Sequence, residues 1–122
     1  MSPPEPTLLV VDDDPAILST VSDILADEGY HVVTATNGAE ALETLERIDP
    51  QLILLDMRMP VMDGWQFAQA RSSEQRLIPL IVMTAAHDAR KWALEIGAAD
   101  YLAKPFDLLE LLEVVERRLP AG

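Results

Sequence analysis

The sequence predicts a single doubly wound α/β domain, with five parallel strands alternating with five helices on both faces of one sheet. Three observations carry this. Short apolar runs of strand length recur along the chain, the clearest being Leu8–Val11, Leu52–Leu55 and Leu80–Met83, and aliphatic residues on successive positions mark strands buried on both faces. The segments between them place apolar residues at helical spacing. Pro, Asp, Asn-Gly and Gly punctuate the junctions, and 122 residues suffice for one core and not two.

Met1–Pro6 holds three prolines and one charge and reads as a disordered leader, so the domain starts at Thr7. The first strand, Leu8–Val11, stops in Asp12-Asp13-Asp14-Pro15, where Pro suits the first turn of a helix. That helix runs from Pro15 to Glu28 on Ile17, Leu18, Val21, Ile24 and Leu25, and Gly29 ends it. His31–Ala35 is a β-branched second strand, and Asn37-Gly38 starts a helix through Ala41, Leu42, Leu45 and Ile48 that ends before Asp49-Pro50. The third strand is Leu52–Asp56.

After Gly64, Trp65–Arg71 has a modest helical pattern. Leu80–Thr84 is a fourth buried strand, and Asp88–Ile96 a helix capped by Asp88 and closed by Gly97, weakly apolar for its length. Tyr101–Ala103 is a short fifth strand running into Lys104-Pro105-Phe106. The last helix spans Asp107–Leu119, with Asp107 as cap, Leu108, Leu111, Leu112, Val115 and Leu119 on one face, and Arg117 and Arg118 at its C-terminus. Residues 120–122 read as a tail or the start of a linker.

Strands alternating with helices imply right-handed crossovers, and five such units suit the flavodoxin-like strand order 2-1-3-4-5. That order makes the ends of strands 1 and 3 neighbours. Asp12, Asp13 and Asp56 then meet outside the carboxyl edge of the sheet, where ligands of such folds collect. Like charges about 4 Å apart repel by about 4 kcal/mol at an effective dielectric of about 20, so a proton or a cation must offset them. An oxygen-only set without cysteine points to Mg2+. A carboxylate can attack phosphorus, which makes Asp56 a candidate nucleophile, with the Thr84 hydroxyl and the Lys104 ammonium at two further strand ends as groups for phosphoryl oxygens.

Val10-Val11-Asp12-Asp13, Asp56 within Leu-Leu-Asp-Met-Arg-Met-Pro-Val-Met-Asp-Gly, Thr84-Ala85 and Tyr101-Leu102-Ala103-Lys104-Pro105-Phe106 together resemble the receiver domain of two-component response regulators, over Thr7 to Leu119. The resemblance implies a cytoplasmic, phosphorylation-controlled switch. Asp56 would take a phosphoryl group from a phosphohistidine of a sensor histidine kinase or phosphotransfer protein. Asp13 and Asp56 would bind Mg2+ directly, Asp12 through water, and the backbone carbonyl of Arg58 would be a further ligand. Thr84 and Lys104 would hold phosphoryl oxygens and Tyr101 would be the aromatic switch. A cis peptide is implied between Lys104 and Pro105. The output would be a changed surface on the fourth and fifth helices and fifth strand, read by a downstream effector domain or protein or by a phosphorylation-dependent dimer. The chain would act only on itself, through its own phosphotransfer and autodephosphorylation. The resemblance also implies that Arg58 and Ala86 occupy two positions that influence how readily water attacks the aspartyl phosphate; Ala86 offers no acid or amide to orient that water, which implies a fairly long-lived phosphorylated state.

Other readings are weaker. A flavodoxin-like carrier of a small ligand needs a glycine- and hydroxyl-rich phosphate loop after the first strand, where this chain has three acids. A metal-dependent phosphohydrolase needs a second acid two residues after its nucleophile, and position 58 is Arg. A phosphorylation-independent interaction domain would merely keep the pocket. The net charge of -12 disfavours direct binding to nucleic acid or anionic membrane, and no run reaches the length of a membrane span. Asp14 and Asp63 read as helix caps, and His31 and His87 as isolated surface or strand-edge residues. Trp65 and Trp92 read as packing residues, although an exposed Trp92 beside Tyr101 would be a candidate partner contact.

Overall fold

The computed structural model describes residues 5–85 and 87–120. The apolar runs form β1 (Thr7–Val11), β2 (His31–Ala35), β3 (Leu52–Asp56), β4 (Leu80–Ala85) and β5 (Asp100–Lys104). Between and after them lie α1 (Pro15–Asp27), α2 (Gly38–Leu45), α3 (Gly64–Ala70), α4 (Ala89–Ile96) and α5 (Leu108–Arg118). The strands are parallel and neighbour one another in the order β2-β1-β3-β4-β5.

Alternation along the strands explains the uninterrupted apolar runs. Leu8, Val10, Leu52, Leu54, Ile81, Met83 and Leu102 face α1 and α5 and pack with Val21, Leu25, Leu111 and Val115. Leu9, Val11, Ile53, Leu55, Leu80 and Val82 face the other way, onto α2, α3 and α4 through Ala41, Leu45, Phe67, Trp92 and Ala93. Both faces are covered, so every position must be apolar until the strand emerges. Among the described residues no helix is long and apolar enough to cross a membrane.

Caps fall where the polar punctuation put them. Asp14 accepts from the Ala16 amide, Asn37 and Asp107 each from an amide three residues on, and Asp63 shares a reciprocal capping box with Gln66. Asp88 occupies the cap position of α4 but makes no capping bond. Its backbone is helical rather than extended, so the carboxylate turns instead toward His87, at 3.4 Å. Gly97, at φ +68°, ends α4 in the left-handed conformation expected of a helix-terminating glycine.

Several elements differ from the pattern, most of them by a single residue at one or both ends. Helix α2 stops at Leu45, because Arg47 and Ile48 both donate to the Thr44 carbonyl and tighten the turn that feeds Asp49-Pro50 into β3. Strand β5 extends one residue each way, to Asp100 and Lys104, since backbone pairing with Ile81 and Ala85 is indifferent to their polar side chains. A 3-10 turn at Gln75–Leu77 was not expected, and Ser72 and Gln75 stabilise its start by exchanging bonds. Of the leader, residues 1–4 lie outside the described residues, while the Pro6 carbonyl already accepts from the His31 amide. Ala121 and Gly122 of the tail also lie outside them.

The loop from β3 to α3 is clamped to α2, where the Gly38 amide donates to the Met62 carbonyl at 2.9 Å. To deliver Met62 there, Val61 takes φ +70° with its side chain 81% exposed. A β-branched residue is strained in that region by about 1–2 kcal/mol, and this side chain gains little packing in return. Glycine relieves the strain but adds unfolded-state entropy. Val61→Gly should therefore raise stability by about 0.5–1 kcal/mol, seen as a higher urea midpoint at unchanged slope. A lower midpoint would contradict the strain.

Candidate phosphoacceptor site

Strand register builds the site. Val11 pairs with Leu55 and Asp56 with Met83, so Asp12, one residue past the end of β1, comes level with Asp56. Thr84 pairs with Ala103, and Lys104 with Ala85, two positions beyond the level of Asp56. Alternation turns Asp12, Asp56 and Lys104 toward α1 and α5, and turns Thr84 and Tyr101 toward α4. Only a long side chain can reach back across those two positions. Lysine supplies it: Lys104 Nζ lies 2.7 Å from Asp12 Oδ2 and 3.7 Å from Asp56 Oδ1.

Asp12 is fully buried and Asp56 is 6% exposed, while Asp13 is open to solvent. Carboxylate oxygens from all three lie within 4.8 Å of one another. A second Asp12 oxygen accepts from the Asp14 amide at 2.9 Å, which fixes the orientation of that carboxylate. Asp56 is pushed up from 3.8 to about 6, first by burial and next by the Asp12 carboxylate; the Lys104 ammonium and the Arg58 backbone amide pull it down, and Asp13 adds a smaller upward push. Three oxygen donors at this spacing, two of them buried, fit a hard divalent cation and offer a soft one nothing.

The sequence-derived residues thus divide into groups. Asp12, Asp13, Asp56 and Lys104 converge. Thr84 is 4% exposed at the end of β4, and Tyr101, on the same face, has 41% of its surface exposed. The Lys104–Pro105 peptide is cis. Asp14 and Asp63 serve their helix ends. His87 is exposed, as is His31 on the edge strand. Ala86 lies outside the described residues.

Trp92 is a packing residue, as read from the sequence, and not an exposed partner contact: it is 7% exposed and packs against Trp65, ring centres 4.7 Å apart. The weakly apolar α4 buries its tryptophan because that ring supplies most of the helix's inward surface. What the sequence reading missed at Arg58 was the partner of its side chain: the guanidinium lies 4.8 Å from the centre of the Trp92 ring. The only sequence signal was one cation in an otherwise apolar loop.

Residues 8–116 match the family described as response regulator receiver domain. Among curated relatives, the transcriptional regulatory protein PrrA of Mycobacterium tuberculosis is 41% identical over 116 residues, covering 93% of this chain and 50% of its own length, so the chain spans about half of that relative. Among solved structures, the chemotaxis response regulator CheY4 of Vibrio cholerae superposes with TM-score 0.86 at 34% identity, covering 94% of this chain and 99% of that one. The receiver domain of the sensor histidine kinase PA1611 of Pseudomonas aeruginosa, with a magnesium ion coordinated in its active site cleft, gives TM-score 0.85 at 33% identity over 93% and 97% of the two chains. A 2-1-3-4-5 sheet whose strand ends gather three acids and a lysine, and a family match over nearly the whole domain, lead to one conclusion: the chain belongs to the response regulator receiver domains, the phosphoacceptor switches of two-component signalling.

Proposed function

We propose that Asp56 accepts a phosphoryl group from a phosphohistidine, on a sensor histidine kinase or a histidine phosphotransfer protein, and that the acyl phosphate switches the face formed by α4, β5 and α5. The observation that carries this reading is the convergence of Asp12, Asp13 and Asp56 with Lys104, whose ammonium reaches both buried carboxylates. In the transfer, an Asp56 oxygen bonds to phosphorus as the phosphorus–nitrogen bond breaks and its electron pair returns to the imidazole. With its carboxyl near 6, Asp56 is ionised at neutral pH and available to attack.

Lys104 already bridges the cleft and need move little to pair with a phosphoryl oxygen. Asp12, Asp13, Asp56 and the Arg58 carbonyl are the groups that would hold Mg2+, which when bound offsets the charge of the phosphoryl group. The magnesium in the PA1611 receiver domain supports that choice.

A phosphoryl group brings about -2 charges to the end of β3 and attracts the Thr84 hydroxyl. Thr84 and Tyr101 share the α4 side of the sheet, so a shift of Thr84 opens room for the exposed Tyr101 ring to turn inward. An effector domain or separate protein would read the result, on a face that also presents the exposed Leu94. The chain's chemistry is on itself, phosphotransfer and autodephosphorylation.

Incubation with Mg2+ and a small acyl phosphate should add one phosphoryl group by intact mass, and Asp56→Asn or removal of Mg2+ should abolish it. Absence of an adduct from every donor tried, or an adduct that survives Asp56→Asn, would sink the reading.

A further inference from the structure

Arg58 is the one cationic side chain between Asp56 and α3. Among the described residues Lys104, not Arg58, is the cation within 4 Å of the Asp56 carboxylate. The Arg58 guanidinium instead sits over the Trp92 ring, 4.8 Å from its centre. That ring is held from two helices: Trp65 of α3 meets it edge-on with planes 70° apart, and the Trp65 indole N–H donates to Glu95 of α4 at 3.0 Å. A cation two residues from a proposed phosphoryl site is thus stacked on an aromatic shelf belonging to α4.

We propose that Trp92 is a positioning residue for the phosphoryl group's lifetime: its ring holds the Arg58 guanidinium on the α4 side of the loop, clear of Asp56. This rests on the phosphoacceptor reading above. A free guanidinium matches phosphoryl oxygens with a planar pair of donors and would cover the face that water attacks. Held on the ring, it leaves that face open. Hydrolysis then proceeds as a water oxygen bonds to phosphorus, the bond from phosphorus to the Asp56 oxygen breaks, and its electron pair returns to the carboxylate, while inorganic phosphate carries off the water's protons. The same stack ties the phosphoacceptor loop to α4, so movement of α4 on its partner's surface would alter the lifetime through Arg58.

The test is the decay of the aspartyl phosphate in purified protein with Mg2+, for Trp92→Leu and Trp92→Phe, each with and without Arg58→Ala. Loss of the ring in Trp92→Leu should lengthen the lifetime by about two- to fivefold, the equilibrium factor of an exposed cation–ring contact. Phenylalanine, which keeps a ring, should restore the native lifetime. The double variant should match Arg58→Ala alone, because Trp92 acts only through the guanidinium. A shortened or unchanged lifetime in Trp92→Leu, or an equal change with and without Arg58, overturns the proposal. Should Trp92→Leu not fold, fluorescence decides: in a Trp65→Phe background, Arg58→Ala should shift Trp92 emission in unphosphorylated protein, and no shift overturns the proposal. Failure of the native chain to take up phosphoryl would be a different result, against the phosphoacceptor reading itself.

Discussion

Asp56→Asn should stabilise the magnesium-free protein by about 3 kcal/mol at about pH 7.5, and by only about 1 kcal/mol near pH 4.5. The cause is the burial of Asp56 beside Asp12, which raises its carboxyl from 3.8 to about 6. A raised carboxyl means that the folded state holds this proton more tightly than the unfolded chain. Its contribution to stability is therefore full below about pH 4, and is lost as pH rises through 6. Asparagine keeps the shape and never ionises, so it escapes the loss. Urea unfolding of both proteins across about pH 4.5–7.5, with Mg2+ chelated, measures the difference directly. Added Mg2+ should narrow the gap, since an ion that binds the native acidic cleft stabilises the protein with Asp56 more than the one without. A wild-type protein as stable as Asp56→Asn at pH 7.5 in chelator would show that the three acids do not strain one another. The site therefore trades stability for a carboxylate that is ready to attack phosphorus and receptive to a cation.

Gly64→Ala should cost about 2–3 kcal/mol and slow phosphorylation at least about tenfold. A Cβ at position 64 would lie 2.5 Å from Met57 Sδ, 2.8 Å from Met57 Cα and 3.0 Å from the Asp56 carbonyl oxygen. The sulfur could swing away, but the two backbone atoms cannot. The Gly64 amide also donates to the Met57 carbonyl at 2.9 Å, so the start of α3 is drawn against the chain that carries the phosphoacceptor. Relief of the clash must push Asp56 and Met57 off position, which is why stability and phosphorylation should fall together. Urea melts and the rate of adduct formation test both halves. A variant within about 0.5 kcal/mol of the native protein, phosphorylating at the native rate, would show that the loop yields more freely than its packing implies.

The legible part of the site was the part written in strand ends. Asp12, Asp56 and Lys104 each close an apolar run, and a parallel sheet carries the carboxyl ends of its strands to one edge. The caps at Asp14, Asn37, Asp63 and Asp107 were readable for a similar reason, since each acts on amides within its own turn. Asp88 was misread because its own backbone conformation, set by the path out of β4, decides whether its side chain can cap.

Less local features escaped. Val61 at positive φ follows from the clamp between Met62 and Gly38, which belong to different βα units. Trp92 was uncertain because a helix with few apolar residues has no periodic stripe to say which face is inward.

The sequence by itself determined the order of elements, the parallel sheet and the residues that stand at its reactive edge, because these depend on hydrophobic period and on chain direction. Tertiary structure alone decided that Lys104 reaches back to both Asp12 and Asp56, that burial raises the Asp56 carboxyl, and that Arg58 rests on Trp92. Each of these joins side chains brought together by separate elements. Distance and dielectric between such groups are properties of the packed fold, and no spacing along the chain encodes them.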